Sequence, residues 1–211
     1  MSRLSRLYEL YLRKVPQQSR SRSVVEAILS AAAERLTREG DDEAVTVQGV
    51  AERAGVGIGS LYDYFGDRSN LLTAIAAKIT EDNRLAFEAV LARTVGLSIE
   101  EGVGRVVDFC IERFTSSKRG PRAVLKIAHA VGLMPTVAAS TDVAAEALAQ
   151  ALRNRTDIRV ADVDLAAWTV THAMIGVFHT LIWEDNPPPM DALRGELVTM
   201  FSGYLAGAPT A

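Results

Sequence analysis

Cysteine is almost missing from this chain of 211 residues. Cys110 stands alone, which excludes a disulfide framework within the chain and a four-cysteine zinc site, and a single thiol fits a reducing compartment. Long apolar runs are missing as well: no stretch approaches the roughly 18 uninterrupted apolar residues of a membrane span. The opening MSRLSRLYELYLRK has neither the continuous apolar core nor the small-residue cleavage site of a secretory signal. Strand-like alternation persists nowhere, and the chain as a whole has no basic excess, its formal net charge being −3. What remains is 48% hydrophobic and 23% charged, the mixture of a soluble globular protein of one or two domains, expected in the cytoplasm.

The distribution of charge says more than its sum. The first 23 residues hold Arg3, Arg6, Arg13, Lys14, Arg20 and Arg22 against Glu9 alone, a local charge of +5 that leaves −8 for the rest. A basic arm over residues 1–18 ahead of an acidic body suits a protein that touches a polyanion with one end. The bland alternative is a solvated, frayed terminus.

Helical periodicity then takes over. Val24, Val25, Ile28, Leu29, Ala32 and Leu36 recur at three- and four-residue steps and predict an amphipathic helix ending near Gly40. Asp41, Asp42 and Glu43 form a linker, Thr46 suits the N-cap of a second helix through Val50 and Ala51, and that helix breaks at Gly55. A third short helix runs from Ile58 to Phe65, with Leu61 and Phe65 facing inward. Small Ala51 permits a close crossing, Gly55 supplies a left-handed turn, and Val56 and Leu61 fill the angle between the helices.

That spacing is a helix-turn-helix, whose second helix enters the DNA major groove by its N-terminal end. Gly57, Ile58, Gly59 and Ser60 occupy that end. The glycines permit close backbone approach, Ser60 can donate to a phosphate or base, and Ile58 can touch a thymine methyl. Tyr62 and Tyr64 are expected at the rim, with phenolic hydroxyls suited to phosphate oxygens, and Arg68 at the start of the next helix, capped by Asp67. Asp63 would stand on the exposed side, able to accept from a cytosine amino group or to repel mismatched registers.

The run ILSAAAERLTREG, then TVQGVAERAGVGIGSLYDYF, then GDRSNLL resembles the N-terminal domain of the TetR family of transcriptional regulators. The resemblance covers about a quarter of the chain, starting near Arg20; Arg20 and Arg22, the last cations of the basic N-terminal stretch, are counted with the DNA-facing set. It implies an all-α protein: a three-helix DNA-binding domain over residues 19–66 and a larger helical effector-binding and dimerising domain over 67–211. It also implies repression relieved by a small molecule. Thr46 and Gln48 match family positions that contact DNA at the start of the second helix, and Ile58, Gly59 and Ser60 match the leading turn of the recognition helix. Tyr62 and Tyr64 match its phosphate-binding aromatics. Arg68 stands where the family usually has lysine, which keeps the charge and changes the geometry; Gly57 replaces a frequent serine and loses a side-chain cap.

Six further helices are expected, at 67 to about 93, 98–116, 119–131, 135–155, 162–184 and 190–205, for about nine in all. Ser98 with Glu101 makes a capping box, Asp162 a cap, and Pro187, Pro188 and Pro189 an extended break. The last two helices carry apolar stripes of Ala166, Val170, Ala173, Val177 and Leu181, and of Leu193, Leu197, Met200, Phe201 and Tyr204. A homodimer is expected through them, because two half-sites need two helix-turn-helix units; the plain alternative is that about half of these residues serve the chain's own core.

An effector site would draw on Phe87, Phe109, Phe114, Met134, Trp168, Met174 and Phe178 for apolar walls, with Cys110, His129, Thr171 and His172 as polar handles. Such a stripe at helical spacing is core more often than pocket. His172 and His179 share a face, yet no short ligand spacing supports a metal, and no cofactor is expected. The chain therefore reads as a non-enzymatic regulator whose partners are a double-stranded palindromic operator, a lipophilic or aromatic effector of unknown identity and a second copy of itself, with no membrane partner. Two other readings stand beside it: a regulator whose second domain only dimerises, and a helical enzyme or carrier built on Cys110 and the histidines.

Overall fold

The computed structural model describes residues 7–40, 42–43, 45–116 and 119–207. Arg3, Arg6 and Asp41 lie outside the described residues. Among those described there are nine α-helices and one 3-10 helix, and no strand. The 3-10 helix is Leu7–Tyr11; the α-helices are α1 (Ser19–Glu39), α2 (Val47–Ala54), α3 (Ile58–Phe65), α4 (Arg68–Ala92), α5 (Ile99–Ser116), α6 (Arg119–Ala130), α7 (Met134–Arg153), α8 (Val163–Leu181) and α9 (Met190–Ala206). The all-α fold class and the count are as the periodicity predicts, with ends within two or three residues of the expected ones.

Packing divides the chain into two compact units, Met1–Asn83 with Ser117–Val137, and Arg84–Ser116 with Ala138–Ala211. This division passes through α4 and brings α6 to the first unit, whereas the expected functional boundary lay after Gly66. Two glycines allow the approach of α6 to α1. A Cβ on Gly120 would lie 3.1 Å from Thr37 Cα, and Gly40, which ends α1 at φ +72°, has the Arg119 side chain against it.

The first unit is built on a core containing Val25, Ile28, Leu29, Ala32 and Leu36 of α1, Val50 and Ala51 of α2, Leu61 and Phe65 of α3, Leu71, Leu72 and residues 74–77 of α4, and Ala123, Val124, Ile127 and Ala128 of α6. The second is built around α5 against α9, with Val107, Leu148, Ala149, Leu152, Ala166, Ala167, Val170, Met174, Leu197, Phe201 and Leu205 in its core. Arg194 of α9 donates to both carboxylate oxygens of Asp108 on α5, at 2.6 and 2.9 Å, and that guanidinium holds the Asp108 carboxyl below the usual carboxylate range. The Ser98 and Glu101 side chains each accept from the other's backbone N–H, at 3.3 and 2.9 Å, the reciprocal cap that starts α5.

Candidate nucleic-acid interface

The helix-turn-helix is set by local chemistry. Thr46 Oγ1 accepts from the Gly49 amide at 3.1 Å, which satisfies one orphan donor at the start of α2. Gly55 ends α2 in the left-handed region at φ +67°, and its amide donates to Ala51 and Glu52 carbonyls. The next amide, of Val56, donates to the Ala51 carbonyl at 3.0 Å, so the turn closes without side-chain help. Arg53 of α2 chelates the Glu34 carboxylate of α1 with hydrogen bonds of 2.8 to 3.0 Å, fixing the angle between those helices at the surface.

Leu61 and Phe65 are fully buried, which rolls the opposite side of α3 outward. Ile58 and Tyr62 are 45% and 44% exposed, and nothing lies within 4 Å of where a Cβ on Gly57 or Gly59 would stand. Gly57 starts α3 without a side-chain cap, so the first amides of the helix receive no hydrogen bond from its N-cap residue. Ser60 is half-buried and Asp63 exposed. Arg20 and Arg22 are exposed in the first turn of α1.

Three residues of the expected DNA-facing set stand differently from the simple picture. Tyr64 is half-buried and packs on the core rather than standing out at the rim, because it follows Leu61 by three positions and shares its side of the helix. Gln48 is exposed, and its amide donates to Glu52 Oε1 at 2.9 Å one turn on. Arg68 is engaged inside the protein: its Nε donates to the Val45 carbonyl at 3.1 Å, and its Nη2 donates to the carbonyl of Asp42 and, at 3.3 Å, to the Asp42 carboxylate. The planar guanidinium, where a lysine would offer a point charge, forks onto the loop before α2 and fixes the entry to that helix.

The arm is partly structured, which the sequence reading left open. Leu7, Tyr8 and Pro16 are buried. The Leu7 amide donates to Glu81 Oε2 at 3.0 Å, Tyr8 Oη to Glu26 Oε1 at 2.5 Å, and the Arg13 amide to the Tyr64 carbonyl at 2.7 Å. A leucine and two tyrosines at 7, 8 and 11 were the signal in the sequence; a wholly solvated arm has no use for them.

The eleven residues expected at an effector site do not converge on one cavity. His129 and Met134 belong to the first unit, the other nine to the second. Phe114, Thr171 and Met174 are buried; Phe87, Phe109, Cys110 and Phe178 are partly so, and the Phe114 and Phe178 rings meet at 6.1 Å between centroids. Trp168 is 49% exposed and stacks on His172 at 4.1 Å, a surface pair rather than a pocket wall. His172 Nε2 stands 3.5 Å from Asp142 Oδ1. Thr171 Oγ1 is buried and makes no hydrogen bond among the described residues. Its neighbours along α8 differ, since Thr169 and Thr180 each donate to the carbonyl four residues back, at 2.8 and 3.0 Å.

A separate cleft of about 530 Å³ in the second unit is lined by Glu88, Leu91, Ala92 and Val95 and by Val143, Glu146, Ala147, Gln150 and Ala151. None of the eleven contributes to it. Burial pushes the Cys110 thiol up to about 12, so at neutral pH it is protonated and a poor nucleophile, and it lowers the pKa of His179. Among the described residues, no three histidine, cysteine, aspartate or glutamate side chains come together as a metal site.

Of the ten residues expected at a dimer interface, Ala166, Val170, Leu181, Leu197 and Phe201 are buried in the chain's own structure and are not available to a partner. Val177 and Leu193 pack partly on that core. Ala173, Met200 and Tyr204 remain outside, the last two 52% and 47% exposed, together with Leu165, which the stripe reading missed at 59%. Ala173, Met200 and Tyr204 belong to the predicted stripes and Leu165 lies one position off, since an apolar helix face wider than one stripe covers the core with one edge and leaves the other open.

Comparison with known proteins gives this arrangement its place. The family model for bacterial regulatory proteins of the tetR family matches residues 28–75, spanning α2, the turn and α3. The model for the tetracyclin repressor-like C-terminal domain matches residues 98–205, just over half of the chain. Among curated proteins no relative is found. Among solved structures, a protein from Mesorhizobium loti MAFF303099 described as a TetR-family transcriptional regulator is 17% identical, with a TM-score of 0.71 over 90% of this chain and 98% of its own. The TetR family repressor AlkX from Dietzia sp. strain DQ12-45-1b, implicated in biodegradation of n-alkanes, is 22% identical, with a TM-score of 0.56 over 90% and 97%. The multidrug binding protein EbrR, solved with imidazole, is 20% identical, with a TM-score of 0.57 over 92% and 99%. At these identities the likeness is one of fold, while the two family models together account for both the helix-turn-helix and the helices that follow it. The chain belongs to the TetR family of bacterial transcriptional regulators.

Proposed function

We propose that the protein is a homodimeric repressor that reads a palindromic operator through α3 and leaves it when a small lipophilic or aromatic molecule binds the second unit. The observation that carries the DNA-binding reading is the leading end of α3: Ile58 and Tyr62 exposed, two glycines with open space before them, and uncapped amides at the helix start. Dimerisation is supported by the exposed Leu165, Ala173, Met200 and Tyr204 on α8 and α9, and by the need for two recognition helices one helical turn of DNA apart. Selection of bound sequences from a random duplex pool, followed by a salt titration on the winner, tests the reading. A palindrome with half-sites spaced for a dimer is expected, and a pool with no enriched sequence would remove it.

The effector reading rests on Thr171. An unpartnered hydroxyl inside a helical core costs about 1–3 kcal/mol, and a ligand polar group reaching it would recover that cost only in the bound state. EbrR, whose fold this chain shares, binds drugs and imidazole, which accords with an aromatic or cationic effector. Thr171→Val keeps the shape and removes the hydroxyl, so it is expected to raise the free energy of unfolding of the ligand-free protein by about 1–3 kcal/mol. The urea midpoint is the measurement, and a lower midpoint would mean that the hydroxyl is satisfied. α4 gives the coupling its route, since its first residues pack in the DNA-binding unit and its last in the second unit. A ligand that prefers a different tilt of α4 weakens operator binding by the factor with which operator weakens ligand binding.

A further inference from the structure

We infer that the docked N-terminal arm is part of the DNA-binding surface, and that Arg13 and Lys14 form a phosphate-binding site beside the turn from α3 to α4. The inference rests on the operator-binding reading above and extends it to residues outside the helix-turn-helix. The arm is held at two points before it reaches α3, by the Leu7 amide on Glu81 and the Tyr8 hydroxyl on Glu26. It then donates the Arg13 amide to the Tyr64 carbonyl at 2.7 Å. That carbonyl is in the last turn of the recognition helix, where intrahelical donors run out, so the arm completes the helix end and is fixed to it in return. The Arg13 stem lies against the turn itself, its Cδ 3.7 Å from where a Cβ on Gly66 would stand.

The charges around this turn decide what the arm is for. Arg68, the cation native to the turn, is spent on Asp42 and Val45. Arg38, Arg53 and Lys78 elsewhere in the unit are likewise paired, with Glu39, with Glu34, and with Glu26 and Asp82. Arg13 and Lys14 are exposed and make no ion pair among the described residues, and no acidic residue occurs between Glu9 and Glu26. A cation at the C-terminal end of a helix is favoured by the helix dipole, yet that alone leaves both head groups unneutralised. A DNA phosphate flanking the groove that α3 enters is the anion the position suits, because phosphate contacts fix register at the edges of a recognition helix.

The test is binding of the full chain to the selected duplex across 50 to 200 mM salt, followed by fluorescence anisotropy, for wild type, Arg13→Ala/Lys14→Ala and Arg38→Ala. The double variant is expected to lower the slope of log affinity against log salt by about 0.9 for each lost phosphate contact, roughly 1.8 per bound protomer, with affinity falling at least tenfold near 150 mM. Its preferred sequence stays that of wild type, since phosphates carry no base information. Arg38→Ala, whose guanidinium is paired, keeps the wild-type slope. A double variant with the wild-type slope overturns the inference, whether or not its affinity changes, and leaves the operator-binding reading standing. A wild type with no salt-dependent binding to any duplex overturns both.

Discussion

Phe65→Ala lowers the stability of the first unit by about 3–5 kcal/mol, the cost of deleting a fully buried aromatic side chain from a packed core, and with it operator affinity. Phe65 has no exposed surface and ends α3 within the cluster shared by α1, α2, α4 and α6. The cavity would open under the helix that presents Ile58 and Tyr62, so orientation is lost together with stability. Denaturant unfolding reads the first effect and anisotropy on the selected duplex the second. Phe65→Leu, which keeps most of the volume, is expected to restore most of both. A loss below about 1 kcal/mol for the alanine variant would mean that the neighbours collapse into the space, and that α3 is held mainly by its turn.

Gly40→Ala is expected to cost about 2–5 kcal/mol, from two separable sources. A left-handed backbone costs a residue with a side chain roughly 1–2 kcal/mol, and Gly40 sits at φ +72°. Its new Cβ would also stand 2.2 Å from Arg119 Cβ and 3.1 Å from Arg119 Cα, so the first turn of α6 must move away from α1, an overpacking cost of roughly 1–3 kcal/mol. Gly55→Ala separates the two. Gly55 has nearly the same conformation, φ +67°, with nothing within 4 Å of the new atom, and should lose only the backbone part. Equal losses in the two variants would show that α6 yields freely at Arg119.

How much of this was legible depended on how local its cause was. Thr46, Gly55 and the inward pair Leu61 and Phe65 could be read directly, because a cap, a left-handed turn and a four-residue spacing are each decided within a few positions. The capping box of Ser98 and Glu101 was legible for the same reason. The arm was not, since its anchor on Glu81 lies 74 residues away in sequence and no period announces it. The engagement of Arg68 was hidden likewise: sequence gave its position at a helix start, while the acceptors that claim it lie on the loop before α2. The α8 and α9 stripes showed that those helices bury apolar residues, and periodicity alone is silent on whether the cover is the same chain or another. The aromatic set could not be divided into pocket and core from sequence, because large side chains fill a helical core as readily as they line a cavity; the unpartnered Thr171 hydroxyl singles out one place among them.

Helix α4 contains neither glycine nor proline over its 25 residues. It has none of the residues at which helices usually kink, and at about 1.5 Å per residue it runs for about 37 Å. A swing of only about 5° at one end would carry the other end through roughly 3 Å, close to the ~3.4 Å separation of successive base pairs. On the reading proposed above, register on the operator answers to angular changes far smaller than any rearrangement of the core, and glycine at an exposed position near the middle of α4 is expected to weaken the coupling of effector to operator while leaving each binding site in place.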